Sequence, residues 1–273
     1  MPNAALVLLD GLRAVDPAEP VLRVDDLGVL RGESVFETVR IAAGRPVFLD
    51  AHLARLAESA RRLDLELPPG WPELAAKAVQ GWHDGVLRLV CTKGTGHGAG
   101  TGFALVTPIP AETVAGREGV RAMTLTLGVR AGERAQSPWL LGGVKSTSYA
   151  VNMASLRHGR DLGYDDVLWL SSDGELLEAP TSTVVLVVGG TLVTPPTSVG
   201  ILAGTTVQAV LDLGLAPFEV RRVTSGELAA ADEVLLLSSI RGVAPVVRLD
   251  DRELGVGRWG RALRDAFEAS LTG

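Results

Sequence analysis

Val35-Phe36-Glu37-Thr38-Val39-Arg40-Ile41 alternates apolar and polar side chains, and a period of two over seven residues is the pattern of a half-buried strand. Ala42-Ala43-Gly44-Arg45-Pro46 then supplies a turn, and Val47-Phe48-Leu49 resumes the apolar run, so the segment reads as a β-hairpin. Asp50 is placed to cap a helix that carries Leu53, Leu56, Ala57, Ala60 and Leu63 on one face. His52, Arg55, Ser59 and Arg62 fall on its polar face. A hairpin that runs straight into an amphipathic helix sets an α+β character for the first half of the chain.

The same reading extends in both directions. Residues 71–82 form a second helical pattern, and 85–92 and 103–108 are strands joined by the glycine-rich run 94–102. Residues 110–119 are polar and aperiodic, and read as a linker. Beyond them come a strand over 120–129, a loop that reaches Lys145, and a helix over 149–162. Short strands follow at 167–170, 175–178, 183–188 and 191–194. A helix opens at Gly204-Thr205-Thr206 and ends near Gly214, and three more strands and a helix over 256–271 complete the chain. No internal repeat is visible. The expected class is α+β / α/β with prominent antiparallel hairpins, divided into a smaller domain over 1–112 and a larger one over 113–273.

Composition narrows the function. Hydrophobic residues make up 47% and charged residues 21% of 273, enough apolar material for a buried core. The formal charge is -6 with the basic residues dispersed, whereas a nucleic-acid surface shows as a basic patch or stripe. The single cysteine, Cys91, lies in a strand-like run, so it reads as a buried inert thiol, and its solitude points to a reducing compartment. The apolar run Val184-Val185-Leu186-Val187-Val188 is far too short to span a bilayer, and residues 1–10 show no leader pattern. The chain reads as cytoplasmic, with no membrane or nucleic-acid partner. Of 26 basic residues only Lys77, Lys93 and Lys145 are lysines. An arginine can replace lysine in most ion pairs but cannot act as an amine, so each surviving lysine is a candidate for amine chemistry.

Several chemical motifs fail. Gly94-Thr95-Gly96-His97-Gly98-Ala99-Gly100 suggests a phosphate loop, but no Gly-Lys-Ser/Thr follows it and it joins two strands. It reads as a hairpin loop. Gly32-Glu33-Ser34-Val35-Phe36 lacks the second glycine of a nucleophile elbow. His52, His83, His97 and His158 have no paired metal-ligand spacing, so no metal site is expected. Three other segments are more informative. Val144-Lys145-Ser146-Thr147-Ser148-Tyr149 sets a lysine beside hydroxyls and an aromatic ring; an ordinary surface lysine is its plain alternative. Leu176-Leu177-Glu178-Ala179-Pro180-Thr181-Ser182-Thr183-Val184 places an acid at the end of one apolar strand and a Thr/Ser cluster before the next, or is merely a turn. Gly200-Ile201-Leu202-Ala203-Gly204-Thr205-Thr206 offers glycines and hydroxyls at a helix start, which suits an anion or a simple N-cap.

In order and spacing these segments resemble the class IV aminotransferases, the fold-type IV enzymes of pyridoxal 5'-phosphate (PLP). That family includes branched-chain aminotransferases, D-amino-acid aminotransferases and 4-amino-4-deoxychorismate lyases. The resemblance runs from Asp25-Asp26-Leu27-Gly28 to about Leu249. It takes in Gly32-Glu33-Ser34-Val35-Phe36-Glu37-Thr38, His52-Leu53-Ala54-Arg55-Leu56, and Ala231-Asp232-Glu233-Val234 leading to Ser238-Ser239. It implies a two-domain D-amino-acid-aminotransferase-like architecture, a homodimer, and an active site between the domains, the larger of which carries the lysine.

The resemblance also implies roles. Lys145 would hold PLP covalently and shuttle the proton, and Glu178 would face the pyridine nitrogen and keep it protonated. Arg55, Thr205, Thr206 and Ser239 would take the phosphate, Tyr149 would contact the ring-oxygen region, and Thr183 would join the cofactor-binding set. Thr38, Arg88, Lys93 and Arg241 would lie on the substrate side. Phe36-Glu37-Thr38 and Lys145-Ser146-Thr147-Ser148-Tyr149-Ala150-Val151-Asn152 look like the lyase group. Lys93 stands where other members carry an arginine, and Arg88 matches a substrate-side arginine of the branched-chain enzymes. The expected activity is therefore 4-amino-4-deoxychorismate lyase, giving 4-aminobenzoate and pyruvate for folate precursor synthesis. D-amino-acid or branched-chain aminotransferase is the alternative, and a non-catalytic PLP-binding scaffold is a third reading, opposed by the joint presence of Lys145 and Glu178.

Overall fold

The alternation over 35–41 becomes a long strand of a six-stranded antiparallel sheet. The computed structural model describes residues 4–96 and 100–271, and the chain divides into two units. One holds the residues up to Pro110 together with Val144–Tyr149; the other holds Ala111–Gly143 and Ala150–Leu271. In the first unit the elements are β1 (Ala5–Leu8), β2 (Arg13–Val15), α1 (Leu27–Leu30), β3 (Ser34–Ala42), β4 (Arg45–Pro46), α2 (Leu49–Arg62), α3 (Trp71–Ala78), β5 (Gly85–Thr92) and β6 (Gly102–Thr107). The sheet order is β2-β1-β6-β5-β3-β4. β3 and β5 pair along eight positions from Ser34↔Thr92 to Ile41↔Gly85.

One face of that sheet sends Val35, Val39, Ile41, Leu87, Leu89, Cys91, Ala104 and Val106 into a core with Leu56, Ala60, Trp71 and Leu74 from α2 and α3. Removal of this apolar surface from water is the main drive for the packing. The hairpin forms as read, although its return strand is only Arg45–Pro46. α2 departs from its reading in two ways. Its N-cap is Phe48, with Asp50 in the first turn, where a negative charge suits the helix dipole. Its buried stripe is His52, Leu56, Ser59 and Ala60, so part of the expected polar face points inward while Ala57 is exposed.

In the second unit the elements are α4 (Ala111–Ala115), β7 (Val120–Thr126), α5 (Glu133–Gln136), α6 (Ala150–Asp161), β8 (Asp166–Leu170), β9 (Thr183–Val188), β10 (Thr191–Thr194), α7 (Thr205–Asp212), β11 (Phe218–Val220), α8 (Ser225–Ala230), β12 (Glu233–Ser238), β13 (Gly242–Leu249), β14 (Arg252–Glu253) and α9 (Arg258–Ser270). They build a mixed sheet in the order β11-β10-β9-β12-β13-β7-β8, with β14 on β13. The β10–β11, β13–β7 and β7–β8 pairs are parallel. Val184, Leu186, Val193, Leu168, Val234 and Leu236 form its core.

Three expectations are corrected. The linker over 110–119 contains the helix α4. Residues 175–178 form no strand; they are tied by single bridges, Leu170↔Leu176 and Glu175↔Thr224, because their backbone is shared between two neighbours. The division falls at Pro110, and the Lys145 segment packs with the first unit instead of the second. Its backbone accounts for this: the Phe36 N–H donates to Lys145 O at 3.1 Å and the Thr147 N–H to Ser34 O at 3.0 Å, which adds the segment to the end of β3. Among the described residues no helix is long and apolar enough to cross a membrane.

Candidate active site

β3 organises the functional side chains of the first unit, because successive residues of a strand face opposite ways. Phe36 and Thr38 lie on the face away from the apolar core. The Lys145 ammonium stands 4.4 Å from the centre of the Phe36 ring and 5.6 Å from that of Tyr149, and the two rings meet edge to face. The Lys145 N–H donates to Ser59 Oγ at 3.1 Å. Thr147 is anchored to Ser34 through their hydroxyls, and Ser148 Oγ donates to Gly32 O at 3.1 Å. The lysine thus projects from a segment pinned at several backbone and side-chain points, with an aromatic surround that partly desolvates the amine. Thr38 sits directly opposite Arg88 of β5. Among the described residues no carboxylate pairs with Arg88; Nη1 makes one long hydrogen bond to Thr107 Oγ1 at 3.4 Å, and burial pushes the guanidinium below its ordinary value. Such a half-buried cation suits an anionic ligand.

Glu37 points the other way, into the core, and is fully buried. Its carboxylate accepts from Arg55 Nε at 2.7 Å and Arg55 Nη2 at 2.8 Å, and lies 2.7 Å from His52 Nδ1. Burial alone would raise the Glu37 carboxyl. The hydrogen bonds and charges of Arg55 and His52 outweigh it and bring the group from 4.5 to about 2. A folded-state value below the unfolded one means stability that is present above about 4.5 and lost as pH falls towards 2. The difference is worth on the order of 3 kcal/mol. Melting temperatures of the wild type and Glu37→Gln between pH 6 and 3 check this: the wild type should lose stability more steeply, and parallel curves would refute it. The sequence reading missed this role. Its signal was an acid standing in phase with Val35, Val39 and Ile41.

Lys93 donates to Glu33 at 2.7 Å and to Leu63 O at 3.4 Å, beside a cleft of 120 Å³ that Asp64 and Glu66 also line. One of the protein's own acids, Glu33, therefore occupies this lysine. Cys91 is buried, and burial with the charge of Asp26 pushes its thiol up to about 12, the behaviour of an inert core cysteine. The loop between β5 and β6 includes residues 97–99, among them His97, which lie outside the described residues.

In the second unit, Glu178 ends the doubly bridged segment, where the Trp169 N–H donates to its carbonyl at 2.8 Å. Glu178 Oε2 accepts the Leu202 N–H at 3.1 Å, and Oε1 lies 3.9 Å from Arg134 Nη1. Sequence reasoning passed over Arg134, since nothing in the local pattern of α5 connects it to residue 178. Thr183 is buried at the start of β9, and Gly204 lies so close that a Cβ there would overlap the Thr183 hydroxyl. Gly204 is the N-cap of α7 and has no side chain to cap with, and the helix opens with Thr205 and the buried Thr206. A dipole positive at such an end favours a negative ligand. Ser239 follows β12 in the loop to β13. Arg241 donates to the buried Asp166 at 2.6 Å and to Ser182 Oγ at 3.2 Å, a brace inside the protein. Among the described residues no cluster of three or more His, Cys, Asp or Glu side chains could hold a metal ion.

The first unit therefore carries Lys145 beside Tyr149, Thr38 opposite Arg88, and Arg55 on Glu37, and the second carries Glu178, Thr183, Thr205 and Thr206. An amine and an arginine in the first unit, and a carboxylate and a hydroxyl-bearing helix start in the second, are each of the chemistry that an aldehyde-bearing pyridine phosphate calls for, so the residues of each unit fit PLP.

Comparison with known proteins agrees. The family model described as Amino-transferase class IV matches residues 34–249. A Mycobacterium tuberculosis protein named bifunctional aminodeoxychorismate lyase / D-amino acid transaminase is 40% identical over 268 residues, covering 91% of this chain and 92% of its own. A PLP-bound structure of a hypothetical aminotransferase from the same organism superposes with a TM-score of 0.93 at 37% identity, over 98% of this chain and 99% of the other. The 4-amino-4-deoxychorismate lyase of Pseudomonas aeruginosa gives a TM-score of 0.79 at 29% identity, over 99% and 100% of the two chains. A match of this extent places the chain in the class IV aminotransferases, and it is a PLP-dependent enzyme of that family.

Proposed function

We propose that the enzyme converts 4-amino-4-deoxychorismate into 4-aminobenzoate and pyruvate, with D-amino-acid transamination as a second activity of the same site. The observation that carries this reading is the 40% identity, over nine-tenths of both chains, to a relative named for both reactions. Bound PLP supplies an electron sink for the carbon that bears the substrate amine.

The chain's own residues do the rest. The Lys145 amine, screened by Phe36 and Tyr149, takes the proton from that carbon. In the lyase the neighbouring carbon–oxygen bond then breaks, the departing enolpyruvyl group collects a proton and leaves as pyruvate, and the ring becomes aromatic. In transamination Lys145 delivers the proton elsewhere and a keto acid leaves. Glu178, held by the Leu202 N–H, keeps a negative charge for the pyridine nitrogen. Arg55 of the first unit, and Thr205, Thr206 and Ser239 of the second, are the residues that would take the phosphate. Arg88 beside Thr38 is the group best prepared for a substrate carboxylate, because Lys93 and Arg241 would first have to release Glu33 and Asp166. We further propose that the enzyme works as a homodimer.

Freshly generated 4-amino-4-deoxychorismate tests the reading. Pyruvate and 4-aminobenzoate should appear in equal amounts. If neither forms with PLP-loaded protein, the lyase assignment fails, and a panel of D-amino acids and branched-chain L-amino acids with 2-oxoglutarate decides between the aminotransferase readings.

A further inference from the structure

We propose that Glu37 is a positioning residue for the cofactor phosphate, with His52 as its second lock. Through them β3 sets the spacing between the phosphate anchor Arg55 and the amine Lys145. The proposal rests on the reading of Arg55 as a phosphate ligand.

The first support is the cost of the arrangement. A fully buried carboxylate among Val35, Val39, Ile41 and Leu56 is expensive to desolvate, and such groups can often be replaced by apolar residues without loss of stability. Its retention calls for a geometric use. The second support is the way Arg55 is gripped. Glu37 engages Nε and Nη2 together, at 2.7 and 2.8 Å, so the guanidinium plane is fixed by two points. Glu37 takes the side-on edge of the guanidinium, Nε with one Nη2 proton, and the end-on Nη1–Nη2 fork is a separate edge of the same plane, the one that matches a phosphate.

His52 precedes Arg55 by three residues on α2, so both side chains reach the same side of the helix. Its Nδ1 lies 2.7 Å from Glu37 Oε2, which stops the carboxylate from turning. The third support is the strand itself. Phe36, adjacent to Glu37, donates its N–H to Lys145 O at 3.1 Å. One rigid strand therefore holds the lysine segment through one residue and the arginine through the next.

The test is the ratio of PLP affinity to pyridoxal affinity, measured on the apoenzyme by absorbance titration. Pyridoxal lacks the phosphate, so the ratio isolates the phosphate contacts from general damage to the fold. Glu37→Gln keeps the shape but its amide cannot accept both Arg55 donors. It should lower the ratio about tenfold to hundredfold, the scale of a charge-assisted hydrogen bond. His52→Asn should lower it about threefold to tenfold, and carries the test if Glu37→Gln fails to fold. An unchanged ratio in a folded variant, whatever its melting temperature, overturns the proposal and leaves a core ion pair. Arg55→Lys is measured alongside. If it also leaves the ratio unchanged, the reading of Arg55 itself has failed; if Arg55→Lys lowers the ratio and the Glu37 and His52 variants do not, only the positioning role has failed.

Discussion

Replacing Lys145 with alanine is expected to remove the visible absorbance of lysine-bound PLP and to abolish both lyase and transaminase turnover. General acid–base groups are worth about 10²- to 10⁴-fold in rate, and Lys145 is assigned the covalent attachment as well, so turnover should fall below detection. Lys145→Arg sharpens the experiment. It keeps a cation beside the Phe36 ring, which now lies 4.4 Å from the ammonium, but a guanidinium stays protonated and cannot act as the amine. Both variants should therefore be inactive while their apo forms stay folded, because the segment is held mainly by backbone contacts to Ser34, Phe36 and Ser59 that neither change removes. Either variant retaining the absorbance and turnover would show that another group does the chemistry.

The second large effect concerns Glu178. Its carboxylate accepts the Leu202 N–H at 3.1 Å, a bond that a glutamine carbonyl can also accept, so Glu178→Gln should fold normally. A neutral amide gives the protonated pyridine nitrogen no opposite charge. Removal of a single preorganised electrostatic partner costs about 10²- to 10³-fold in rate, and a loss of that size is expected in both reactions. Glu178→Asp should recover part of the rate by restoring the charge at a shorter reach. The check is kcat for each variant at saturating PLP. A Glu178→Gln enzyme within threefold of the wild type would remove this residue from the proposed machinery.

Much of this was legible before any coordinates. The period of two over 35–41, the strand-like run over 85–92 and the unbroken apolar run over 184–188 identified strands whose limits the structure reproduces closely. Those signals are local: alternation and burial follow from which face of a strand meets the core. Where local pattern and tertiary demand conflicted, the reading failed. Residues 175–178 have strand-like apolarity but divide their hydrogen bonds between β8 and Val223. The polar residues His52 and Ser59 of α2 are buried although an amphipathic reading turns them to solvent.

The sequence alone determined the family and singled out Lys145 and Glu178 as candidates, because these are identities at characteristic spacings and survive without knowledge of the fold. Only the tertiary structure decided which cations are braced by an acid of the protein. Lys93, Arg241 and Arg55 look alike on the page as basic residues near informative motifs. In space they meet Glu33, Asp166 and Glu37, acids that stand 60, 75 and 18 residues away along the chain. No periodicity records such a pairing, since it is fixed by which strand lies next to which. Arg88, with no acid placed against it among the described residues, differs from them for the same reason.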